Sequence, residues 1–209
     1  MMKIVKLIVG PMASNCYIAW DEDTKDAVII DPGFEDDRIM ETVEKHGLKV
    51  GKILLTHGHF DHIGGLEKTK AQTGAKVYIY ADDADTLTSA GKNLSTMVGQ
   101  PMNPGPADVL LRDGDEVEIS PNIKLTTIHT PGHTVGSCCF VGEDVIFSGD
   151  TLFEGSIGRT DFPGGSYENM MKSLSRLMTY DDDMTVLPGH GKNTDIAYER
   201  ARNPFIARG

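Results

Sequence analysis

The sequence THGHFDHIGG at residues 56–65 decides the fold more than any other stretch of the chain. It follows the compact apolar run KILL at 52–55, which predicts a buried strand, and it leads into a helix predicted at 62–73. Three histidines and one aspartate are thus crowded into a single strand-to-helix turn at the edge of a sheet. Such side chains are costly to bury without partners, so a bound divalent metal ion explains the cluster best.

The spacing within this cluster predicts more than one ion. His57 and His59 alternate and can reach one ion, whereas Asp61 and His62 can reach a neighbouring one. Imidazole and carboxylate ligands together suit zinc, iron or manganese. We therefore expect two divalent metal ions, with zinc as the first choice and iron or manganese as alternatives.

Three later segments place a further candidate ligand beside a glycine at the end of a predicted strand. They are TPGHT at 130–134 with His133, FSGDT at 147–151 with Asp150, and LPGHG at 187–191 with His190. Glycine permits tight turns and a close approach of the backbone to a crowded site. Each segment is a weak signal alone, because a histidine can be a hydrogen-bonded core residue and an aspartate often caps a turn. Together the segments predict a site of five histidines and two aspartates.

Short β-rich runs separated by turn residues open each half of the chain, and helical patterns follow them. The predicted strands lie at 3–9, 16–20, 26–31, 52–55, 76–80, 116–119, 123–130, 137–142, 144–150 and 184–190, the last one ending in a histidine. The predicted helices lie at 36–46, 62–73, 81–87 and 167–178. This order favours an α+β fold, a four-layer αββα sandwich with two sheets face to face, over a doubly wound parallel sheet. The sequence shows no linker, so we expect one domain over residues 1–209.

The segment from 91 to 106 is rich in Gly, Pro and Asn and predicts a long loop. Loops of this length in compact domains are often functional lids, and disorder is the alternative.

The composition excludes several classes of protein. With 209 residues, 39% of them hydrophobic, the chain can bury a substantial core, and its net charge of -11 makes nucleic acid an unexpected partner. It contains no apolar run of the roughly 18 to 20 residues that span a bilayer and no convincing signal peptide. The three cysteines, Cys16, Cys138 and Cys139, form no even framework, which fits a reducing compartment. We therefore expect a cytoplasmic protein without a membrane partner; its oligomeric state is not predicted.

The order of these motifs, HxHxDH, PGHT, SGDT and PGH, resembles that of the metallo-β-lactamase superfamily, and the early IDPG at 30–33 is also similar to the family's. Within the superfamily the series most resembles the glyoxalase II (hydroxyacylglutathione hydrolase) branch and its short bacterial relatives. The stretch SIGRTDFPGG at 156–165 looks like their loop after the bridging aspartate. Glyoxalase II enzymes extend into a helical region that helps to grip glutathione. Here only residues 191–209 follow the last motif, so the resemblance does not imply how glutathione is held.

The resemblance assigns a role to each candidate ligand. It implies a first metal ion held by His57, His59 and His133, a second held by Asp61, His62 and His190, and a bridge made by Asp150. Many true β-lactamases have a cysteine where this chain has the bridging aspartate, which argues against antibiotic hydrolysis.

A mechanism follows from such a site. Two divalent ions about 3.5–4 Å apart lower the pKa of a shared water toward roughly 7, which supplies hydroxide for attack on an acyl carbonyl. Asp61 and Asp150 are the expected catalytic residues, with the first orienting the hydroxide. A thioester fits because a thiolate leaves without prior protonation. Arg159 and Lys192 are the cations nearest the motifs and are expected to hold an anionic thioester, while Asp31 is expected to support the metal ligands or cap its turn.

His129 lies four residues before His133 and outside the ligand positions, so we expect it to support the ligands or the fold rather than bind metal. The expected function is hydrolysis of a small thioester such as a hydroxyacylglutathione. The main alternative is a persulfide dioxygenase-like oxidoreductase, in which one iron would be held by His57, His133 and Asp150. Lactone or phosphodiester hydrolysis on the same fold is a further alternative.

Overall fold

A computed structural model describes residues 1–207 of the chain. The strands are β1 Met2–Val9, β2 Ser14–Asp21, β3 Asp26–Ile30, β4 Lys49–Leu55, β5 Lys76–Tyr80, β6 Val109–Leu111, β7 Glu116–Ser120, β8 Ile123–His129, β9 Cys138–Val141, β10 Val145–Gly149, β11 Leu152–Phe153, β12 Ser156–Ile157, β13 Thr185–Pro188 and β14 Thr194–Asp195. The α-helices are α1 Asp37–His46, α2 Phe60–Ile63, α3 Leu66–Thr73, α4 Tyr167–Leu177 and α5 Ile196–Arg202. Two 3₁₀ segments lie at Ala81–Thr88 and Ser95–Val98.

These strands form two six-stranded sheets and one small hairpin. The first sheet has the order β1-β2-β3-β4-β5-β6; β1 to β3 are antiparallel, and β3 to β6 are parallel. The second sheet has the order β14-β13-β10-β9-β8-β7, with a parallel pair only between β10 and β13. Strands β11 and β12 pair separately.

The alternation of apolar side chains along the strands explains how the layers stack. In β4, Leu54 packs between the two sheets, whereas Ile53 and Leu55 point to the other face and pack with residues of α1 and α3. In β10, Phe147 packs between the sheets, whereas Ile146 packs with α4 and α5. Three hydrophobic layers therefore separate four layers of secondary structure. The predicted αββα sandwich is confirmed.

Helix α1 has the start and stop signals expected from its sequence. Asp36 accepts a hydrogen bond from the backbone N–H of Arg38, and Gly47 ends the helix with a φ of 63°. The buried residues Ile39 and Val43 lie one turn apart on the face toward the sheet.

The single helix predicted at 62–73 is wrong, because two helices occupy this stretch. Helix α2 ends at Ile63, and α3 begins at Leu66. Between them, the backbone N–H of Gly65 donates to Pro32, and a Cβ on Gly65 would collide with the carbonyl of Phe34. The 32–34 turn thus lies too close to Gly65 to leave room for a side chain. The helical stretch is interrupted at this point.

Several other boundaries differ from the sequence prediction. The last predicted strand, at 184–190, ends at Pro188, so His190 lies in the following turn instead of at the strand end. The short helix predicted at 81–87 is a 3₁₀ segment, and a second 3₁₀ turn interrupts the loop predicted at 91–106. Strands β6, β11, β12 and β14 and helix α5 lie outside the predicted pattern.

A hydrogen bond between two side chains joins the two sheets. The Ser120 hydroxyl donates to Asp21 over 2.5 Å and so links β7 of the second sheet to β2 of the first.

Among residues 1–207, none of the helices has the length and apolar character needed to cross a bilayer.

Candidate metal centre

The seven candidate ligands converge from loops that follow four strands. The turn after β4 carries His57 and His59 and leads into α2 with its two ligands. His133 lies between β8 and β9, Asp150 follows β10, and His190 follows β13. Both sheets therefore contribute to one site at the edge where these strands end.

The first group consists of His57, His59 and His133. The His59 Nδ1 and His133 Nε2 atoms are 2.8 Å apart, and the His57 ring lies 4.8 Å from each of the other two rings. The Nδ1 atom of His133 lies 2.7 Å from the carbonyl oxygen of Arg159. It must carry the proton to donate there, so the Nε2 atom presents a lone pair to the group.

The second group consists of Asp61, His62 and His190. The Oδ2 atom of Asp61 lies 3.1 Å from the His190 Nε2 atom and 3.7 Å from that of His62. The two histidine Nε2 atoms are 3.3 Å apart. A carboxylate and two imidazoles thus point at a common centre.

Asp150 lies between the two groups. Its Oδ2 atom is 3.5 Å from the Nε2 atom of His133 in the first group and 3.7 Å from that of His190 in the second. Its Oδ1 atom is 3.4 Å from the Nε2 atom of His62. The carboxylate of Asp150 thus faces histidine nitrogens of both groups.

The polar atoms of the site fit metal ions. The His57 Nε2 and Asp150 Oδ1 atoms are buried and have no hydrogen-bond partner within residues 1–207. An orphaned buried acceptor is costly, and a divalent ion would satisfy both atoms. The nitrogen-rich, oxygen-containing donor set is one that zinc, iron or manganese accepts.

The protonation states of the first group also fit metal binding. Burial, together with neighbouring His62, lowers the pKa of His57 well below its usual value, and burial and His133 lower the pKa of His59 to about 3. Neutral imidazole is the form that binds metal. Burial opposes the charge of Asp150, yet the surrounding histidines outweigh it and hold the pKa of this carboxyl well below its usual range.

Asp31 supports the site from behind. Its Oδ1 atom accepts from the backbone N–H of Thr56 over 2.8 Å, and its Oδ2 atom accepts from the Thr56 hydroxyl over 2.6 Å. The same Oδ2 atom lies 2.9 Å from the Nδ1 atom of His62. Asp31, His57 and His62 are close enough to form a third ligand group, but these contacts already occupy the aspartate. Asp31 therefore orients His62 with its Nε2 atom toward the site.

His129 lies away from the converging ligand atoms. Its ring stacks on Tyr80 with a centroid distance of 4.1 Å, and its Nε2 atom lies 2.9 Å from the carbonyl oxygen of Val135. The residue thus contacts the loop that carries His133 rather than the ligand side chain itself.

Arg159 lies at the rim of the site. Its guanidinium donates two hydrogen bonds to Asp161, over 2.9 and 2.8 Å, and lies 4.1 Å from the centre of the Phe162 ring. That ring lies 5.8 Å from the ring of His59. Lys192 is exposed two residues beyond His190. Arg159 thus contacts an aromatic ring that packs against the first ligand group, whereas Lys192 is close to His190 in sequence only.

Two residues that position the ligands were not found from the sequence. Asn15, on β2, donates from its side chain to the carbonyls of Pro188 and Gly191 and so holds both sides of the turn that carries His190. Asp83, in the first 3₁₀ segment, accepts from Gly58, Thr134 and Gly136 and ties two ligand loops together. Neither has a motif or a nearby ligand in sequence that would have indicated its role.

Solvent reaches the site from the side of the second group. The exposed fractions of the His190 and Asp61 side chains are 27% and 13%, whereas the three histidines of the first group are at most 4% exposed. A substrate would therefore meet the second group at the mouth of the site.

Known proteins resemble the chain over nearly its whole length. The "Probable metallo-hydrolase YqgX" of Bacillus subtilis (strain 168) is 38% identical, with 98% of each chain covered. The "Hydroxyacylglutathione hydrolase GloC" of Haemophilus influenzae (strain ATCC 51907 / DSM 11121 / KW20 / Rd) is 35% identical, again over 98% of each chain.

Solved structures agree with the fold. BLEG-1, described as a B3 metallo-β-lactamase, has a TM-score of 0.92 at 33% identity over 98% of this chain and 99% of its own. ETHE1 from Myxococcus xanthus has a TM-score of 0.84 at 31% identity over 99% and 85%. TTHA1623, solved in a di-iron-bound form, has a TM-score of 0.84 at 32% identity over 96% and 99%.

A family model described as "Metallo-beta-lactamase superfamily" matches residues 9–190, a range that contains all seven candidate ligands. The superfamily uses a dinuclear metal site, and the histidine and aspartate clusters that such a site needs are present here. The chain belongs to the metallo-β-lactamase superfamily of metal-dependent hydrolases.

Proposed function

We propose that this protein is a dinuclear metal-dependent hydrolase that cleaves a small thioester, such as a hydroxyacylglutathione. The observation that carries the proposal is the position of Asp150 between two complete groups of three donors. A site for one ion would leave three converging donors unused. The relative that is named a hydroxyacylglutathione hydrolase supports the choice of substrate class.

In this proposal each group holds one ion. His57, His59 and His133 would hold the first, Asp61, His62 and His190 the second, and Asp150 would contact both. When bound, such a pair of ions lowers the pKa of water and polarises a carbonyl oxygen, so hydroxide becomes available at neutral pH. Zinc is our first choice; iron is supported by the di-iron form of TTHA1623, and manganese suits the same donors.

The protein's own residues orient the reactants. Asp61 accepts from the Ser14 hydroxyl over 3.3 Å and lies 3.1 Å from the His190 nitrogen, so its carboxylate is fixed at the mouth of the site. From there it can orient a hydroxide for attack on the acyl carbonyl. A thioester suits this arrangement because a thiolate leaves without a strong general acid.

We also propose that the thiol carrier is anionic. The Arg159 guanidinium stacks on Phe162, whose ring packs against His59 of the first ligand group, and Lys192 follows His190 of the second group by two residues. A carboxylate of the carrier could contact either cation. The pairing of Arg159 with Asp161 fixes its guanidinium while leaving the side chain 63% exposed.

We propose a reducing compartment, the cytoplasm, as the place of action. All three cysteines are buried and free, and burial raises the pKa of the Cys139 thiol to about 11. Buried thiols of this kind are chemically inert, and cysteines that remain free thiols fit a reducing compartment.

A persulfide dioxygenase-like oxidoreductase is the second candidate. The likeness to ETHE1 is consistent with it, and His57, His133 and Asp150 would then hold a single iron. The converged second group of donors favours the dinuclear hydrolase over this alternative.

One set of assays distinguishes the candidates. The metal-replete protein is given S-lactoylglutathione, glutathione persulfide with an oxygen electrode, a lactone, a phosphodiester and a β-lactam. We expect thioester hydrolysis to have the highest kcat/KM, with no persulfide-dependent oxygen uptake. Oxygen uptake without thioester hydrolysis, or a higher kcat/KM for the lactone, phosphodiester or β-lactam, would overturn the proposal.

A further inference from the structure

A cavity of about 710 Å³ adjoins the candidate metal centre. Its walls come from the β1–β2 loop, the turn at 33–35, helix α2 with the start of α3, and the segment at 100–104. Cavities of roughly 300–1,000 Å³ hold small organic molecules in many enzymes. A short acyl group such as lactoyl would leave most of this volume empty.

The cavity reaches the metal centre at Asp61. Asp61 and Ser14 both line it, and the hydroxyl of the second donates to the carboxylate of the first. The same carboxylate contacts the His190 nitrogen in the second ligand group. A substrate whose reacting carbonyl lies at the ligands can therefore extend into the cavity.

The walls are apolar and acidic. Met12, Phe34, Phe60 and Met102 supply much of the apolar surface. The ionisable lining residues are Glu35, Asp61 and Glu67, and within residues 1–207 the lining includes no lysine, arginine or histidine. Away from the metal centre, an anionic group in this cavity would meet Glu35 and Glu67 and no cation of the lining, so its charge would be left unpaired.

The segment at 100–104 is a fixed wall of the cavity. The side chain of Asn93 donates to the carbonyls of Thr86 and Met102, over 3.0 and 2.9 Å, and the Ser95 hydroxyl accepts from the backbone N–H of Met102 over 3.0 Å. The carbonyl of Asn93 also accepts from the backbone N–H of Phe60 at the start of α2. The loop is thus tied to the helix that carries Asp61.

We propose that this cavity binds the acyl group of the substrate and selects uncharged, apolar acyl chains longer than lactoyl. The inference rests on the proposed thioester hydrolysis and specifies its substrate class. Arg159 and Lys192 lie outside the lining, so the cations proposed to contact an anionic carrier are not among the residues that would contact the acyl chain. The enzyme would thereby recognise the thiol carrier by its negative charge and the acyl group by apolar contacts.

The first test compares acyl groups on one neutral carrier, N-acetylcysteamine. From acetyl through butyryl to octanoyl, we expect kcat/KM to rise by up to about fourfold per methylene until the cavity is filled. Succinyl, which resembles butyryl with a terminal carboxylate, is expected to be hydrolysed at least about tenfold less efficiently than butyryl. A kcat/KM that is flat or falls with chain length, or that favours succinyl, would overturn the inference.

A charge variant tests the acidic wall. Glu67→Gln should narrow the gap between butyryl and succinyl, because one of the repelling carboxylates is lost. Glu44→Gln is the matched control, since Glu44 is exposed on α1 and outside the lining. An unchanged ratio in Glu67→Gln, or an equal change in both variants, would contradict the assignment of the wall.

Binding without hydrolysis separates this inference from the proposed function. S-alkyl thioethers of N-acetylcysteamine cannot be hydrolysed, and calorimetry should show an affinity that rises from methyl to octyl. Met12→Glu should weaken this dependence of affinity on chain length. The Met12 side chain is 51% exposed, so the substitution should leave the fold intact. Length-dependent binding with no hydrolysis of any thioester would support the cavity and refute the thioesterase. Hydrolysis with length-independent binding would do the reverse.

Discussion

Asp150 is closely surrounded, and it fits only because the neighbouring positions are glycines without side chains. A Cβ on Gly189 would collide with the Asp150 Oδ1 atom and with the ring of His62, and a Cβ on Gly158 would collide with the Asp150 carbonyl. The glycines beside the ligand motifs thus do what the sequence predicts of them: they let backbone approach a crowded site.

Replacing this aspartate should disrupt both ligand groups together. In Asp150→Ala we expect metal content to fall, and thioester hydrolysis to fall by at least about tenfold, because the residue contacts both groups. Metal analysis and kinetics on the same preparation measure this. Asp144→Ala is the matched control, since that aspartate is exposed in the preceding turn. Normal metal content and activity in Asp150→Ala would refute the bridge.

The two cations at the rim should affect binding of substrate more than its conversion. For an anionic thioester, Arg159→Ala or Lys192→Ala should raise KM by about two- to fivefold at low salt with little change in kcat, because a contact made equally in both states is uniform binding. The effect should shrink as salt screens the charge over about 8–10 Å. Lys172→Ala, on the exposed face of α4, should change neither constant. A wild-type KM for both variants at low salt would make them ordinary surface cations.

The candidate metal ligands could be predicted from the sequence, but the residues that position them could not. His57 and its neighbours stand out because polar side chains crowd a strand end. Asn15 and Asp83 act across 173 and 53 positions of sequence, through hydrogen bonds to backbone. Only the folded chain brings such partners together, so their roles have no local pattern.

At the scale of elements, the site depends on loops that are joined to each other. Asp83 accepts over 3.1 Å from Gly58 in the β4–α2 turn and over 2.7 and 2.8 Å from Thr134 and Gly136 in the β8–β9 loop. Burial raises the pKa of this carboxyl in spite of the three donors. The spacing between the first-group histidines is therefore set in part by a residue that binds no metal.

Asp83→Ala should loosen both loops. Three donors lose their acceptor in a buried place, so we expect the free energy of unfolding to fall by about 2–4 kcal/mol. Metal affinity should fall with it, while the neighbouring exposed variant Asp82→Ala keeps both values. Urea unfolding and competitive chelation measure the two effects. Unchanged metal affinity in a folded Asp83→Ala protein would show that the loops hold their spacing without it.

Helix α2 shows why an element boundary can escape the sequence. The apolar spacing of 62–73 satisfies a helix, and two consecutive glycines are only a weak break signal. What ends α2 at Ile63 is the backbone of the 32–34 turn, which lies against Gly64 and Gly65. The turn is remote in sequence, so the break could not be predicted from the helix alone.

At the scale of the whole molecule, the layered architecture could be predicted from the order of strand and helix patterns, and strands such as β9, apolar at every position, are buried on both faces. Cys138 and Phe140 pack between the sheets, whereas Cys139 and Val141 pack beneath α4 and α5. We propose that residues 1–209 form one domain, because the layer between the sheets takes side chains from both. The pairing of β10 with β13, by contrast, depends on contacts across the fold.

The hydrogen bond between Asp21 and Ser120 joins the two sheets and predicts a dependence on pH. The hydrogen bond from the Ser120 hydroxyl, followed by that from the backbone N–H of Asp23, holds the pKa of the Asp21 carboxyl below its usual value, against the effect of burial. A lowered pKa stabilises the folded chain above the ordinary carboxyl value of about 4, and the contribution is lost as the pH falls through the folded value.

Asp21→Asn should therefore be less stable than the wild type near neutral pH, and the difference should shrink as the pH falls below about 4. Unfolding free energies between about pH 7 and 3 measure this. Glu143→Gln, exposed in the β9–β10 turn, is the control and should show no such trend. A difference that is constant across the range would contradict the pKa argument.

Metal stoichiometry tests the central claim most directly. The chelator-treated protein is reloaded with zinc, iron or manganese in separate samples, freed of excess ion, and analysed for metal per chain. Seven converging donors exceed what one tetrahedral ion can use, so we expect two ions per chain, falling to one in the double variant Asp61→Ala, His190→Ala. A saturated content of one ion per chain in the wild type, unchanged by the double variant, would contradict the dinuclear site.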